Sequence, residues 1–149
     1  METHPEPPLG KRILLVDDEL TVRDTIRHLL RFDDHTVTEA NNGAEALGLF
    51  AQDRFDVVLT DCVMPFLRGT ELATRIKALA PDQPILMISG HGVKPGAHNP
   101  VDAVLRKPFN LKDLRSALAG VLSVLHPEGG TIRMRATRNH KRSLAGMSA

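Results

Sequence analysis

Apolar segments of strand length alternate with segments of helical periodicity along most of this chain. Residues 13–16 form a continuous apolar run, which is typical of a strand buried on both faces of a parallel sheet. Further strands are predicted at 36–40, 57–60, 85–88 and 103–105. Because strands and helices alternate, we predict an α/β fold with a doubly wound, five-stranded parallel sheet.

Helices are predicted between most of these strands, where apolar residues recur every three or four positions. In the first helix, Val22, Ile26 and Leu30 share one face. Thr21 and Asp24 are the predicted capping partners at its start. The other helices are predicted after Asn42, over residues 70–80, and over residues 111–125 behind Asn110 as cap.

The segment that joins the fourth and fifth strands, residues 91–101, departs from this periodicity. It contains two Pro and two Gly residues. In a helix interior each Pro costs about 3 kcal/mol and each Gly about 1 kcal/mol relative to Ala. We therefore predict a loop, or at most one helical turn, in place of a helix here.

Composition narrows the class of protein. The chain has 149 residues, of which 42% are hydrophobic, and this suffices for one domain with its own core. A single cysteine, Cys62, excludes an intramolecular disulfide framework and a Cys-rich zinc site. No apolar run approaches the roughly 18 residues of a membrane span, and we find no signal pattern. We therefore expect a soluble, cytoplasmic protein without a membrane role.

Charge divides the chain into a mildly acidic part and a basic end. Residues 127–149 carry five Lys or Arg against one Glu, which leaves 14 basic and 17 acidic residues before them. Pro127, Gly129 and Gly130 interrupt the apolar pattern at this boundary. We predict a flexible lead at 1–10, one domain at 11–126 and a flexible basic tail at 127–149.

Ionisable and hydroxyl side chains follow four of the five predicted strands. They are Asp17 and Asp18 after the first, Asp61 after the third, Ser89 (followed by Gly90) after the fourth, and Lys107 after the fifth. In open α/β sheets the ligand site lies beyond the carboxyl ends of the strands, so we expect one shared rim. An Asp that follows a strand is, taken singly, most often a turn former or helix cap. The position of all these residues at the carboxyl ends of the strands indicates a functional site.

Three carboxylates that lie close together resist ionisation unless a cation sits among them. Oxygen ligands of this kind suit Mg²⁺, which proteins usually hold with one or two carboxylates plus phosphate oxygens. One carboxylate is then able to attack a phosphoryl group, while Lys107 offsets charge on the phosphoryl oxygens. The rim therefore predicts phosphoryl-transfer chemistry.

Over residues 11–126 the sequence resembles the receiver domain of bacterial two-component response regulators. The motifs that carry the resemblance are Asp17-Asp18-Glu19 behind the first strand, Asp61 with Met64-Pro65 and Gly69, Ser89-Gly90, and Lys107-Pro108-Phe109. The resemblance implies a flavodoxin-like strand order of 2-1-3-4-5. It also implies that Asp61 is the phosphoacceptor and takes its phosphoryl group from the phosphohistidine of a sensor histidine kinase or a phosphotransfer protein.

The resemblance further implies a role for each remaining rim residue. The implied Mg²⁺ ligands are Asp17, Asp18, Asp61 and the backbone carbonyl of Val63. The phosphoryl group is implied to contact Lys107 and the Ser89-Gly90 pair, with Ser89 as the hydroxyl switch residue. The Lys107–Pro108 peptide bond is implied to be cis.

One position departs from the family pattern. Family members usually carry an aromatic residue three positions before the lysine, and here that residue is Val104. Because Val has no large ring to move between exposed and buried positions, we expect altered coupling between phosphorylation and the surface around the fifth strand.

The expected function is a stand-alone phosphoacceptor that signals by contact with an unidentified protein and catalyses only its own phosphorylation and dephosphorylation. One alternative is a docking module of the same fold that no longer signals by phosphorylation, which Val104 and residues 91–101 favour. Another is a phosphatase with an Asp nucleophile, against which the apolar Val63 and the lack of a cap-sized insertion argue. The basic tail is too short for a complete DNA-binding domain, and the oligomeric state is left open.

Overall fold

Residues 7–90 and 99–124, the part of the chain that the computed structural model describes, contain five strands and four helices. The strands are β1 (Arg12–Val16), β2 (Thr36–Ala40), β3 (Val57–Asp61), β4 (Ile85–Ser89) and β5 (Ala103–Arg106). The helices are α1 (Leu20–Arg31), α2 (Gly43–Gln52), α3 (Gly69–Leu79) and α4 (Leu111–Val124).

All neighbouring strands run parallel, in the order β2-β1-β3-β4-β5. Val16 of β1 lies beside Ala40 of β2 and Thr60 of β3. Asp61 lies beside Ile88 of β4. The carboxyl ends of the central strands therefore meet at one edge of the sheet. The predicted doubly wound parallel sheet and its 2-1-3-4-5 order are confirmed.

Apolar side chains cover both faces of the sheet. In β1, Leu14 and Val16 join a core cluster with α2 and α3, whereas Ile13 and Leu15 join a second cluster with α1 and α4. These four side chains are fully buried, and burying each aliphatic side chain contributes about 1.5–3 kcal/mol. The sheet is thereby held between two layers of helices, which fixes the relative positions of its strand ends.

Two helices begin at the caps that the sequence predicts. The Asn42 side chain accepts a 2.8 Å hydrogen bond from the Glu45 amide at the start of α2. At the start of α4, the Asn110 side chain accepts from the Asp113 amide at 2.8 Å, and the Asp113 carboxylate accepts from the Asn110 amide at 3.0 Å. Each cap satisfies amides that a helix leaves without an internal partner.

The start of α1 differs from its prediction. Thr21 and Asp24 were the expected capping partners, but the helix begins at Leu20, with Glu19 in the cap position and no side-chain cap. That prediction is wrong. The physical reason is that the carboxylate of Asp17, two residues earlier, accepts the Glu19 amide hydrogen bond at 2.9 Å and forms the turn into the helix.

Some predictions concern residues outside the described part of the chain. They are the loop prediction for residues 91–98, the lead at residues 1–6, and the basic tail at 127–149. Residues 99–101, which end the predicted loop, are not helical. Within the described residues, no helix combines the length and the apolar character that crossing a membrane requires.

Candidate functional site

Three aspartates meet at the carboxyl edge of the sheet. Asp17 and Asp18 follow β1, and Asp61 is the last residue of β3, the neighbouring strand. Each offers a carboxylate oxygen that lies within 4.8 Å of the other two. The structure therefore brings together the three acidic residues that the sequence analysis selected, because parallel neighbouring strands end at the same edge.

Asp17 is the buried member of this cluster. Its side chain is 2% exposed, and its Oδ1 accepts the Glu19 amide hydrogen bond. Burial raises the pKa of the Asp17 carboxyl from its ordinary 3.8 to about 6, and the charges of Asp61 and Asp18 act in the same direction. The Glu19 amide and the Lys107 ammonium oppose this rise in pKa. The Asp17 carboxyl therefore holds its proton more tightly than an exposed aspartate does.

Lys107 supplies a cation to the cluster from the loop after β5. Its Nζ lies 3.3 Å from Oδ1 of Asp61, and its amide donates a 2.8 Å hydrogen bond to the Ser89 carbonyl. The Lys107–Pro108 peptide bond is cis, the isomer that the resemblance implied. Lys107 therefore links the ends of β3, β4 and β5 at the rim.

The other residues named from the sequence lie around this cluster. Ser89 is buried at the end of β4, next to the exposed Gly90. Val63, two positions after Asp61, is 69% exposed. Val104 of β5 is partly buried and packs against the core cluster that contains Leu14. The phosphate contacts implied for Ser89 and Gly90 stay predictions. The metal contact implied for the Val63 carbonyl stays a prediction as well.

The backbone of Asp61 is held tightly from two sides. The hydroxyl of the buried Thr60 donates a 3.0 Å hydrogen bond to the Asp61 carbonyl. A Cβ on Gly69, the first residue of α3, would collide with that same carbonyl oxygen. The Gly69 amide donates to the Cys62 carbonyl at 3.1 Å. Gly69 is therefore needed for the close approach of α3 to the end of β3.

Cys62, which follows Asp61, carries a half-buried free thiol. Burial raises the pKa of this thiol above its ordinary value, and the negative charge of Asp61 adds to the rise. A raised pKa lowers the thiolate fraction, which is the reactive form. The side chain also packs against the core cluster that contains Val58.

Sequence reasoning missed one residue beside the cluster. Arg23 of α1 donates a 2.8 Å hydrogen bond from Nη1 to the backbone carbonyl of Asp17. In the sequence, Arg23 stands out only as a polar residue on the outer side of an amphipathic helix. A possible signal is its distance of six residues from Asp17, which places it on the turn of α1 nearest the rim.

The donor set of the cluster suits a hard divalent cation. Three carboxylates converge, one of them is almost fully buried, and Lys107 offsets part of their charge. Mg²⁺ prefers oxygen ligands and retains several waters, for which the exposed carboxylate of Asp18 leaves access. The residues present therefore fit such a cation.

The parallel sheet with strand order 2-1-3-4-5 defines a flavodoxin-like domain. At the carboxyl edge of this sheet, three aspartates lie together and Lys107 pairs with Asp61. The model of the response regulator receiver domain matches residues 13–119 of this chain. The chain belongs to this family. Response regulator MprA of Mycolicibacterium vanbaalenii is 36% identical over 127 residues, which cover 80% of this chain and 53% of that protein. The chain spans about half the length of the curated relatives that it matches.

Solved structures agree with this family assignment. A response regulator receiver domain protein from Clostridium thermocellum has a TM-score of 0.70 at 32% identity, covering 78% of this chain and 96% of its own. Chemotaxis protein CheY4 of Vibrio cholerae has a TM-score of 0.70 at 30% identity, with coverages of 77% and 100%. Response regulator TrrA of Thermotoga maritima, solved in complex with Mg²⁺-BeF, has a TM-score of 0.67 at 29% identity, with coverages of 75% and 99%.

Proposed function

We propose that this chain is the phosphoacceptor receiver of a two-component phosphorelay, with Asp61 as the acceptor. The phosphoryl donor is the phosphohistidine of a sensor histidine kinase or a phosphotransfer protein. The observation that carries the proposal is the position of the Asp61 carboxylate, which lies 3.3 Å from the Lys107 ammonium and offers an oxygen within 4.8 Å of those of Asp17 and Asp18. A nucleophilic oxygen flanked by a fixed cation and metal-binding carboxylates suits phosphoryl transfer.

The reaction exchanges one bond at phosphorus. A carboxylate oxygen of Asp61 forms a bond to phosphorus while the bond between phosphorus and the imidazole nitrogen of the donor breaks. The electron pair of the broken bond stays on that nitrogen, and Asp61 becomes an acyl phosphate. Lys107 offsets the charge on the phosphoryl oxygens, and the Ser89 hydroxyl donates a hydrogen bond to one of them.

Asp17, Asp18, Asp61 and the backbone carbonyl of Val63 would hold Mg²⁺ at this site. When bound, the ion supplies positive charge to the phosphoryl oxygens. The Asp17 carboxylate supports this assignment, because burial and then the charges of Asp61 and Asp18 raise its pKa, and a bound cation would offset both effects. The Mg²⁺-BeF complex of the Thermotoga maritima relative supports it as well.

An apolar groove beside the site provides a surface for the phosphoryl donor. The groove encloses about 340 Å³ between α1 and the loop after β5. Val22, Ile26 and Leu29 line its helical side, and Lys107 and Phe109 line the other. Because Lys107 belongs to both the groove and the rim, a protein that docks in the groove brings its phosphohistidine next to Asp61.

Phosphoryl uptake from a small donor tests the proposal. Wild-type protein is incubated with acetyl phosphate or phosphoramidate and Mg²⁺, and intact mass is measured over time. We expect one added phosphoryl group per chain in the wild type and in the control Asp82→Asn, whose carboxylate is exposed and outside the acidic cluster. Asp61→Asn is expected to add none. Folded, Mg²⁺-loaded wild-type protein that stays unmodified would contradict the proposal.

Val104 favours a second candidate, a docking module that binds its partner without regard to phosphorylation. The residue is packed against the core and offers no ring that could change position. The candidates differ in one measurement, the affinity for a captured partner with and without a phosphoryl mimic. Equal affinities support the docking module. We further propose that the chain acts only on its own phosphorylation state, so turnover of phosphate esters beyond one equivalent would instead identify a phosphatase.

A further inference from the structure

The Arg23 side chain joins three structural elements next to the acidic cluster. From α1, its Nη1 donates to the Asp17 carbonyl at 2.8 Å and to Asn41 Oδ1 at 3.1 Å. Its Nε donates to Glu39 Oε1 at 2.9 Å. The side chain is only 13% exposed. One guanidinium therefore connects the helix to the carboxyl ends of β1 and β2.

The Asp17 carbonyl is part of the peptide bond between Asp17 and Asp18. A hydrogen bond to this carbonyl therefore also restrains the backbone of Asp18. Asp17 itself is fixed by its amide, which donates to the Ala40 carbonyl at 3.2 Å, and by its side chain, which binds the Glu19 amide. Asp18 is exposed, and within residues 7–90 and 99–124 no side chain or amide binds its carboxylate. The backbone therefore fixes where the Asp18 side chain begins, and the described part of the chain holds Asp18 near the other two aspartates of the acidic cluster.

We propose that Arg23 is a positioning residue for the cation site, because it fixes the peptide plane between Asp17 and Asp18. This inference rests on the Mg²⁺ site of the proposed function and adds a residue to it. A guanidinium is suited to the task, since its rigid fork serves a carbonyl, a carboxylate and an amide oxygen at once. Partners that orient metal ligands from behind affect metal affinity without contacting the metal.

Arg27 provides a matched control on the same helix. It lies one turn after Arg23 and binds the same carboxylate, with its Nη1 2.8 Å from Glu39 Oε2. It also pairs with Asp24 at 3.2 Å. Its hydrogen bonds and ion pairs with described residues do not include Asp17. Removing Arg27 therefore weakens the tie between α1 and β2 but leaves the Asp17 carbonyl bound.

The test compares Mg²⁺ affinity in Arg23→Met and Arg27→Met. Isothermal titration calorimetry is suitable, because the chain has no Trp or Tyr for intrinsic fluorescence. Arg23→Met is expected to raise the dissociation constant for Mg²⁺ about tenfold, whereas Arg27→Met leaves it unchanged. Equal dissociation constants for wild type and Arg23→Met, or an equal loss in both variants, would overturn the inference.

Two further arms keep the result interpretable. If Arg23→Met does not fold, Arg23→Lys is compared with Arg27→Lys, and a loss of affinity confined to the Arg23 variant is expected; equal affinities overturn the inference. Phosphoryl uptake by wild-type protein is measured in parallel. Absence of uptake in the wild type counts against the proposed function, whereas normal uptake with an unaffected Arg23 variant counts against the positioning role alone.

Discussion

The ammonium group of Lys107 lies 3.3 Å from Oδ1 of Asp61, so the last residue of β3 meets a cation from the loop after β5. The two residues are 46 positions apart in the sequence. The parallel sheet brings them together, because β3 and β5 both lie beside β4 and end at the same edge. Among the residues that the structure describes, the ammonium of Lys107 pairs with one of three clustered carboxylates. The pair therefore leaves negative charge at the rim, which a divalent cation is able to offset.

Removal of the Lys107 charge should slow phosphoryl uptake. In Lys107→Met, the attacking carboxylate and the incoming phosphoryl oxygens lose the fixed cation, and we expect the rate of uptake to fall by about 100-fold. The rate is measured by intact mass at saturating Mg²⁺. Lys112→Met, an exposed position in the first turn of α4, serves as control and should retain the wild-type rate. Equal rates in the two variants would show that Lys107 has no part in transfer.

Asp17 should make the stability of the protein depend on pH in the absence of divalent cations. Its folded-state pKa is raised from 3.8 to about 6, so the folded state holds the proton more tightly than the unfolded chain. The free energy of unfolding therefore falls as pH rises through this interval. In chelator near pH 8, Asp17→Asn is expected to be more stable than wild type by about 1–3 kcal/mol. This gain should shrink as the pH is lowered below 6.

Urea unfolding at several pH values measures this effect. Asp18→Asn is the control, since its exposed carboxylate should give little change. Addition of Mg²⁺ should stabilise the wild type and leave Asp17→Asn nearly unaffected. A pH-independent difference between wild type and Asp17→Asn would mean that burial of the charge is not the cause.

Gly69→Ala should damage both stability and the acceptor. The added Cβ collides with the Asp61 carbonyl, so α3 or the end of β3 must shift. We expect the free energy of unfolding to fall by about 1–3 kcal/mol, together with slower phosphoryl uptake. Gly48→Ala in α2 places its Cβ in open space and should stabilise the protein by about 0.5–1 kcal/mol. Chemical denaturation compares the two, and a neutral Gly69→Ala would disprove the close approach.

Two carboxylates with arginine partners should differ strongly in their contribution to stability. Asp33 is buried and accepts two 2.8 Å hydrogen bonds from Arg115 of α4. Asp53, with a side chain that is 49% exposed, pairs with Arg12. Asp33→Asn is expected to lower the free energy of unfolding by about 1–3 kcal/mol, whereas Asp53→Asn changes it by less than about 1 kcal/mol. Thermal melting at matched pH tests the ranking, and equal losses would contradict it.

Local sequence pattern was sufficient for much of the fold. The apolar run at 13–16 indicated a strand buried on both faces, and Ile13 and Leu14 do enter opposite core clusters. The rim was also predictable, since parallel strands that end in Asp17 and Asp61 must end at one edge. The strand order came from the resemblance, because periodicity does not specify which strands are neighbours.

The start of α1 shows where local pattern is insufficient. Helical periodicity and capping preferences favoured Thr21 and Asp24 as partners, yet the helix begins at Leu20 because the Asp17 carboxylate binds the Glu19 amide. A residue chosen for the cation site thus also forms the turn into the helix. This double role depends on the side-chain direction at the end of β1, which sequence spacing leaves undetermined.

By itself, the sequence determined which side chains stand at the ends of the strands, and therefore which carboxylates and which lysine share the rim. Only the tertiary structure decided how these carboxylates differ in exposure and which other side chains contact them. Asp17 is 2% exposed with a pKa near 6, whereas its neighbour Asp18 remains exposed. The guanidinium of Arg23 reaches the Asp17 carbonyl from α1. Desolvation and contacts between elements arise from packing, and packing depends on where distant segments meet rather than on the identity of adjacent residues.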